Sequence, residues 1–519
     1  MSDSYKKAGK DNCDFFISTE LSLPGYPPKD LLLRKDFLKK VEFYTKEIIK
    51  LTKNHPTIFL LNIPTRQKNG IYNTALLIKS GKIIFQFNKS SLPNYGVFDE
   101  KRYFSSDLKQ ENIFIYKEKK IKFLICEDLW NFNFKKKTKF DLIIVINASP
   151  YEIEKLKKRQ KIAEKTSIFC QSPLIYANLV GSQDELIFDG SSFFMNKKGE
   201  IVKQADSFKE SELFIDINEI SKSKKVLKTV NIYEDIYKAL YMSLKNYIKK
   251  NNFSSILIGL SGGIDSALCA VIASDVVGKE NLRLFFLPSI YTSDQSKVDA
   301  KGLSANLENK LNEISIDSLR ENISFSLSPI FNNLPEDVTE ENIQSRIRGL
   351  LLMAISNKFK SLLISTGNKS ELLVGYSTLY GDMCGGFSLI KDLYKTQVIE
   401  LSKWRNENIL DFCKIKKYNI IPKNIIIKEP TAELKLNQKD TDSLPQYNML
   451  DKILELLIDK NLDLKSIISK GYGEKLVKKI WKMVKQSEFK RYQSAIGPKI
   501  TQMSLDSDRR FPITNDFKI

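Results

Sequence analysis

The stretch Gly259–Cys269, GLSGGIDSALC, has the composition of a phosphate-binding loop, but not of the commonest kind. It follows the apolar run SSILI and opens a run, IDSALCAVIASDVVG, whose apolar residues recur at helical spacing. A Walker loop places Lys-Ser or Lys-Thr after its last glycine, whereas Ile264, Asp265 and Ser266 follow here. Ser261, Gly262 and Gly263 can form a concave nest of backbone N–H groups, and the helix that follows aims its N-terminal dipole at the same point. The two glycines let the backbone approach an anion with no Cβ in the way. Asp265 would repel a phosphate unless it carries a cation, so bridging through Mg²⁺ is its economical role. Ser266 can donate one more hydrogen bond. The bland alternative is a Gly-rich strand–helix turn that binds nothing.

A second set of reactive residue types lies in the first half of the chain. STELSLPGYPPKDLL carries Glu20, FNKSSLPNYGVFDEKRYF carries Lys89, and KFLICEDLW carries Cys126. A cysteine at the carboxyl end of a strand can act as a nucleophile if a nearby cation lowers its pKa. The sequence has one histidine, His55 in KNHPTI, which reads as a surface turn. Lysine is then the natural partner of the cysteine, with a glutamate taking and returning protons. Taken alone, a cysteine after a strand is more often a small buried hydrophobe.

Further along, the apolar strand SLLIST delivers Thr366, Gly367, Asn368, Lys369, Ser370 and Glu371 at its carboxyl end, where open α/β sheets bind ligands. Glu371 beside Asp265 would make a two-carboxylate Mg²⁺ site. Lys369, Lys391 and Lys395 could neutralise charge developing on a phosphate, although Lys391 and Lys395 each also read as solvated surface lysines. Asp382, in YGDMCGG, is either substrate-facing or a turn former.

These residues have to be held by regular elements. In the first half, TIFLLNI, TALLIKSGKIIFQF, KFLICEDLW and DLIIVINAS are short apolar runs bounded by Gly, Asn, Pro and charge, which suits buried strands alternating with helices. SSFFMNKKGEIVKQA reads as a hairpin turning at Lys-Lys-Gly. The polar patch ISKSKKVLKT marks a boundary between residues 1–218 and 232–519. Beyond it the order helix, strand, Gly loop, helix, strand predicts a doubly wound parallel sheet.

The 519 residues allow two or more domains. With 42% apolar and 28% charged residues, the composition is that of a globular protein. No run approaches the roughly 20 apolar residues of a membrane helix, and the first residues lack the apolar core of a signal peptide. A cytoplasmic protein with no membrane partner is expected. The net charge of +20 raises nucleic acid as a partner, but the lysines are scattered, and no nucleic-acid-binding motif is present. The six cysteines form no CxxC pair, so free thiols are expected.

SGGIDS resembles the pyrophosphate loop of the N-type ATP pyrophosphatases, which adenylate a substrate oxygen. The stretches from ENIQSRIRGLL to IELSKW, KEPTAELKLNQKDTDSLPQYNMLD, and SEFKRYQSAIGPKI to DRRFPITNDF are similar to the NAD synthetase family over most of residues 232–519. The resemblance implies ATP on Gly259, Leu260, Ser261, Gly262, Gly263, Ile264, Asp265, Ser266 and Thr366. It implies deamido-NAD near Asn342, Glu371, Tyr376, Ser377, Thr378, Leu379 and Lys490, with Mg²⁺ on Asp265 and Glu371.

LPNYGVFDEKRYF, with the stretches around Glu20 and Cys126 and NLVGSQDELIFDGSSFF, resembles the carbon–nitrogen hydrolase (nitrilase) superfamily over about residues 13–217, in particular the glutaminase domain of glutamine-dependent NAD synthetases. This implies an α-β-β-α sandwich with Glu20 as general base, Lys89 as activating lysine and Cys126 as a nucleophile that forms a glutamyl thioester. Tyr95, Ser149 and Lys155 would bind glutamine. Together the two resemblances imply a carbon–nitrogen ligase whose ammonia crosses to an adenylated dinucleotide, and a homo-oligomer.

One departure bears on the first half. The fold normally opens with another strand and most of a helix, whereas here MSDSYKKAGKDN, like the tail of that helix, leads straight into CDFFISTE. STEL also stands where the family has apolar-Pro-Glu-Leu. A missing strand would leave apolar surface and a sheet edge exposed, and the alternative function is an ammonia-dependent synthetase with a defective glutaminase. Other pyrophosphate-loop amidotransferases, such as GMP or asparagine synthetase, need a Cys-His pair or an N-terminal cysteine. A tRNA-thiolating pyrophosphatase usually shows a cysteine pair.

Overall fold

The computed structural model describes residues 1–519 except 108–110, 136–137, 219–225, 227–230, 333, 516 and 518–519. The chain divides into two compact units, Met1–Val230 and Asn231–Ile519. The polar stretch read as the boundary, residues 220–229, lies outside the described residues apart from Val226.

The first unit holds two sheets. In one, β1 (Phe15–Ile17), β2 (Ile58–Gln67), β3 (Gly70–Lys79) and β4 (Lys82–Asn88) lie in sequence order, β1 parallel to β2 and the rest antiparallel. The other contains β5 (Ile113–Tyr116), β6 (Lys119–Ile125), β7 (Leu142–Asn147) and β8 (Leu174–Asn178). A short ribbon of β9 (Val180–Gln183) and β10 (Leu186–Asp189) stands apart, and β11 (Phe193–Met195) and β12 (Ile201–Gln204) complete the second sheet in the order 12-11-8-7-6-5. The expected hairpin is β11–β12, with Gly199 at φ +81 in its turn.

Alternation decides which side chains meet. Ile58, Leu60, Ala75, Leu77 and Phe87 of the first sheet pack on Ile121, Phe123, Ile125, Ile144 and Ile146 of the second, forming the dry layer between the sheets. The opposite faces take helices. Tyr5 of helix Ser2–Lys10 and Val41 of helix Lys35–Leu51 pack on Phe59, Leu61 and Leu76. Ala163 and Cys170 of helix Lys155–Cys170 pack on Leu124, Ile143 and Val145. The result is an α-β-β-α sandwich. β1 ends its sheet, and its apolar side chains are partly covered: Phe16 lies edge-on to Tyr5 and Phe59, and Phe15 to Tyr116. Tyr5 also packs edge-on to His55, which sits half-buried in the loop before β2.

The second unit is built on a fully parallel sheet in the order β15 (Leu311–Glu313), β14 (Leu282–Phe286), β13 (Ile256–Gly259), β16 (Leu362–Ser365), β17 (Phe387–Ser388). The order reverses at β13. The chain moves outward to β14 and β15 and returns to the other side of β13 as β16, which opens a crevice at the carboxyl ends of β13 and β16. Helix Ile264–Val277 is apolar all round and buried over nearly its whole length, packed against helices Ile232–Lys250 and Lys395–Glu407. Helix Val338–Phe359 packs on β13 and β16. A separate apolar cluster joins helices Lys369–Val374, Tyr447–Leu454 and Glu474–Gln486 through Leu373, Leu450, Ile453 and Val477.

Candidate active site

Each unit carries one centre. In the first, β6 ends at Ile125, and Cys126 turns the chain into helix Glu127–Trp130 at φ +45 and ψ −95. Such a conformation is rare for a residue with a Cβ and costs about 1–3 kcal/mol. The Cys126 N–H donates to Ile146 O at 2.9 Å, which fixes the turn against β7.

Around it stands a buried charge set. Lys89, at the end of β4, is wholly buried, and its Nζ donates to Glu20 Oε1 at 2.7 Å and Glu100 Oε1 at 2.8 Å. Glu20 also receives Asn73 Nδ2 at 2.8 Å and, on its other oxygen, the Ala148 N–H at 3.0 Å. Three donors thus fix one carboxylate, and they keep their hold although Thr19 precedes Glu20 in place of proline. Burial works against the Lys89 charge, but Glu100 and Glu20 outweigh it and hold the ammonium pKa well above the ordinary value.

Glu100 and Tyr26 are additions to the sequence reading. The Tyr26 hydroxyl donates to Glu100 Oε1 at 2.8 Å, and burial pushes the Glu100 carboxyl up to about 7 against the pull of Lys89. The signal for Glu100 lay inside LPNYGVFDEKRYF, but its nearness to Lys89 depends on the fold.

The expected lowering of the Cys126 pKa is not what the structure gives. Burial and the Glu20 charge raise the thiol well above its ordinary value, and the single cation Lys89 only partly offsets Glu20, Glu100 and Glu127. The resting group is therefore a thiol, close enough to the Glu20 carboxylate to feel its charge. Iodoacetamide alkylation of Cys126 should therefore be slow at pH 7 and rise about tenfold per pH unit to beyond pH 9. A rate already level at neutral pH, followed by peptide mass against Cys126→Ala, would contradict this.

The residues expected to bind glutamine lie around the same turn. The Tyr95 hydroxyl, on a ring that is 56% exposed, donates to Glu127 Oε2 at 3.0 Å. Lys155 opens its helix 3.7 Å from Glu152, with its ammonium 5.6 Å from the centre of the Trp130 ring. Ser149 follows Ala148 at the end of β7. It is buried, its N–H donates to Asn178 Oδ1 at 2.9 Å, and its Oγ accepts from Arg159 Nε at 3.1 Å. Arg159, paired with Asp189 at 2.8 Å, therefore orients Ser149.

In the second unit a cavity of about 310 Å³ opens at the reversal point of the sheet, lined by Gly259–Ser266, Phe285–Leu287, Leu363–Gly367, Glu371, Tyr376, Ser377, Asp382, Lys395 and residues 428–434. Gly262 has φ +83, and a Cβ there would lie 2.4 Å from the Ser296 carbonyl oxygen. The loop is tied by its own hydroxyls. Ser261 N donates to Ser266 Oγ at 3.2 Å, Gly263 N to Ser261 Oγ at 3.2 Å, and Ser266 Oγ to Gly263 O at 3.0 Å. The Ser266 hydroxyl lies within hydrogen-bond distance of the Ser261 N–H, the Ser261 hydroxyl and the Gly263 carbonyl, which ties the loop to itself.

Asp265 and Glu371 face one another across Lys395. The ammonium donates to Asp265 Oδ2 and, at 3.2 Å, to Glu371 Oε1. Asn368 Nδ2 donates to Asp265 Oδ1 at 2.9 Å, while the Asn368 side chain caps helix Lys369–Val374. Burial, opposed by Lys395 and reinforced by Asp265, pushes the Glu371 carboxyl up to about 8. Two hard oxygen donors beside a phosphate loop suit Mg²⁺, which takes one or two carboxylates and completes its shell with phosphate and water.

The other two lysines serve a different purpose. Lys369 is buried against Asp392 and Asp459, each at 3.0 Å, and donates to Met503 O at 2.7 Å. Lys391 is buried against Ala495 O at 2.8 Å and Asp506 at 2.6 Å. Both bind the C-terminal segment, and neither lines the cavity; Lys395, also buried, does. Lys369→Met would leave two buried carboxylates uncompensated and should cost about 3–5 kcal/mol of stability, measured as a lower urea midpoint. An unchanged midpoint would contradict the clamp.

Asn342, Thr378, Leu379 and Lys490 lie outside the cavity lining, on helix Val338–Phe359, in the segment after helix Lys369–Val374 and on helix Glu488–Arg491. Thr378 Oγ1 donates to Asn342 Oδ1 at 2.8 Å, Arg346 Nε to Leu379 O at 3.3 Å, and Lys490 Nζ to Gly375 O at 2.8 Å and Ser377 O at 2.7 Å. Asp382 forms the turn that was one of the two roles weighed for it, and it also lines the cavity. It accepts the Thr378 N–H at 2.7 Å, and burial pushes its carboxyl up to about 6. The cavity also brings in Arg348, whose Nε donates to Leu287 O at 2.9 Å, and Glu433, which accepts from Ser293 and Ser296. Glu433 lay within KEPTAELK, where no role had been read for it.

Comparison with known proteins follows the same division. Residues 1–224 match the carbon–nitrogen hydrolase family and residues 236–494 the NAD synthase family. A glutamine-dependent NAD(+) synthetase from Acinetobacter baylyi is 41% identical over 524 residues, covering 100% of this chain and 95% of that protein. One from Thermotoga maritima is 38% identical, covering 97% and 93%. A solved glutamine-dependent NAD+ synthetase from Acinetobacter baumannii, in complex with ADP, superposes with a TM-score of 0.75 at 39% identity, over 99% of this chain and 94% of that one. Among the described residues no helix is long and apolar enough to cross a membrane.

Proposed function

The chain belongs to the glutamine-dependent NAD(+) synthetase family, and from that premise we propose how its two centres divide the work. The enzyme is a ligase that converts deamido-NAD, ATP, glutamine and water to NAD, AMP, diphosphate and glutamate.

At the first centre Glu20 takes the Cys126 thiol proton as sulfur attacks the glutamine carboxamide carbon. The C–N bond breaks, Glu20 returns the proton to the leaving ammonia, and a glutamyl thioester remains. Water, deprotonated by Glu20, then releases glutamate and restores the thiol. Lys89 stays charged between Glu20 and Glu100 and stabilises negative charge on the substrate oxygen. Tyr95, Ser149 and Lys155 hold the glutamine.

At the second centre residues 259–266 and Thr366 bind ATP, and Asn342, Glu371, Tyr376, Ser377, Thr378, Leu379 and Lys490 receive deamido-NAD. The nicotinate carboxylate attacks the α-phosphorus, the α–β bond breaks, and diphosphate leaves. Ammonia then adds to the acyl carbon and AMP departs. Asp265 and Glu371 would hold Mg²⁺, which when bound supplies positive charge to the diphosphate leaving group. A homo-oligomer and a cytoplasmic place of action complete the reading, with no nucleic acid among its partners.

The observation that carries the proposal is the wholly buried Lys89 joined to both Glu20 and Glu100 beside a strained cysteine, since so costly a charge set needs a chemical reason. A diazoketone analogue of glutamine tests it. Peptide mass should find the label on Cys126, at a rate sharply reduced in Glu20→Gln. Labelling elsewhere, or at an undiminished rate in that variant, would remove the assignment.

A further inference from the structure

The cation between Asp265 and Glu371 in this structure is the Lys395 ammonium. Its contact with Asp265 Oδ2 and its 3.2 Å contact with Glu371 Oε1 place it where a metal ion shared by the two carboxylates would have to bind. Mg²⁺ takes carboxylate oxygens at about 2.0–2.1 Å in near-octahedral order. An ammonium already donating to both carboxylates fills that volume and repels a second cation. Mg²⁺ and this position of Lys395 therefore exclude one another.

The side chain is placed to leave as well as to stay. Its backbone is fixed, with the Lys395 N–H donating to Ser370 Oγ at 2.9 Å at the start of helix Lys395–Glu407. Its ammonium, by contrast, is held by the two carboxylates and lies 5.3 Å from the centre of the Tyr447 ring, on the wall of the nucleotide cavity. Lys369 and Lys391 differ in that backbone carbonyls, Met503 O and Ala495 O, anchor them away from the cavity.

We propose that Lys395 is the resident counter-ion of the metal site: it bridges and partly offsets the charge of Asp265 and Glu371 when no nucleotide is bound, excludes free Mg²⁺, and moves onto the triphosphate when the metal enters with ATP. The proposal rests on the reading that Asp265 and Glu371 hold the metal. Asp265 and Glu371 are half-buried and face one another, and two like charges so placed disfavour each other unless a cation stands between them, which the lysine supplies. Its release adds a positive charge to the phosphates at the moment the metal replaces it, so metal and nucleotide bind as one unit.

Mn²⁺ binding to the full chain, followed by its electron paramagnetic resonance signal, tests this without turnover. Without nucleotide, Lys395→Gln and Lys395→Met should bind Mn²⁺ about tenfold or more tightly than the wild type. With α,β-methylene-ATP, in which the cleaved bond is blocked, the wild type should bind it tightly. Equal affinity of wild type and folded variants without nucleotide overturns the proposal and leaves the metal site standing. Tight binding with the analogue that survives Asp265→Asn and Glu371→Gln removes the metal site itself, and the proposal with it. Should the lysine variants fail to fold, Mn²⁺ soaks of wild-type crystals decide. Anomalous density between Asp265 and Glu371 without nucleotide overturns the inference; density only with the analogue, with Lys395 Nζ on a phosphate, supports it.

Discussion

Cys126→Ala is expected to lose NAD formation from glutamine by at least about 10³-fold while keeping formation from ammonium within about twofold. The asymmetry follows from where the residue stands. Cys126 sits in the first unit, at a turn whose N–H is tied to β7, and it contributes nothing to the cavity at the end of β13. On the proposed mechanism, removing its sulfur takes away the atom that carries the glutamyl group, whereas added ammonia needs no such carrier. Steady-state NAD formation with each nitrogen source measures both arms. Equal loss with glutamine and ammonium would mean that the substitution damages the second unit. Retention with glutamine would mean that another group attacks the amide. The same assay on the wild type decides the alternative of a defective glutaminase, which would leave activity with ammonium alone.

Gly262→Ala is expected to remove NAD formation with both nitrogen sources, by about 10²-fold or more. The added Cβ would meet the Ser296 carbonyl oxygen at 2.4 Å and its carbonyl carbon at 3.0 Å, and the backbone there has φ +83, a region that favours glycine. Neither obstacle is a flexible side chain, so the loop or the start of helix Asp294–Asn306 must move. A shift of about 1 Å in a group that positions reacting atoms costs on the order of 10²-fold. The variant should also lose the thermal stabilisation that ATP confers on the wild type, while Cys126 labelling by the diazoketone continues. Normal ATP stabilisation with normal turnover would show that the loop does not hold the phosphates.

Contiguous motifs were legible because their chemistry is local. The run from SSILI through SGGIDS signals a strand, a Gly-rich turn and a helix N-terminus in sequence, and the structure has them in that order. What depended on distant partners was not legible. Lys369, Lys391 and Lys395 look alike in sequence. Only the fold shows that Lys369 finds Asp459 and Lys391 finds Asp506, 90 and 115 residues on, while Lys395 finds Asp265, 130 residues back. The sign of the Cys126 shift required knowing how deeply the thiol is buried and which charges surround it, since burial first, then Glu20, Glu100 and Glu127, outweigh the lowering by Lys89. The bonds that join Ser261 and Ser266 within the loop are likewise something no spacing reveals. Glu100 was in plain view, but a glutamate eleven positions after a lysine announces nothing until a β-strand ending and a loop turn bring them to 2.8 Å.

The most direct test of the account is one incubation of the wild type with ATP, glutamine labelled with ¹⁵N in its amide, and deamido-NAD labelled with ¹⁸O in its nicotinate carboxylate. Release of the amide nitrogen as ammonia at Cys126 and adenylation at the Gly259–Ser266 loop predict NAD carrying ¹⁵N in its carboxamide and AMP carrying one ¹⁸O on its phosphate. Unlabelled NAD nitrogen, or ¹⁸O found in inorganic phosphate with ADP as the nucleotide product, would contradict it.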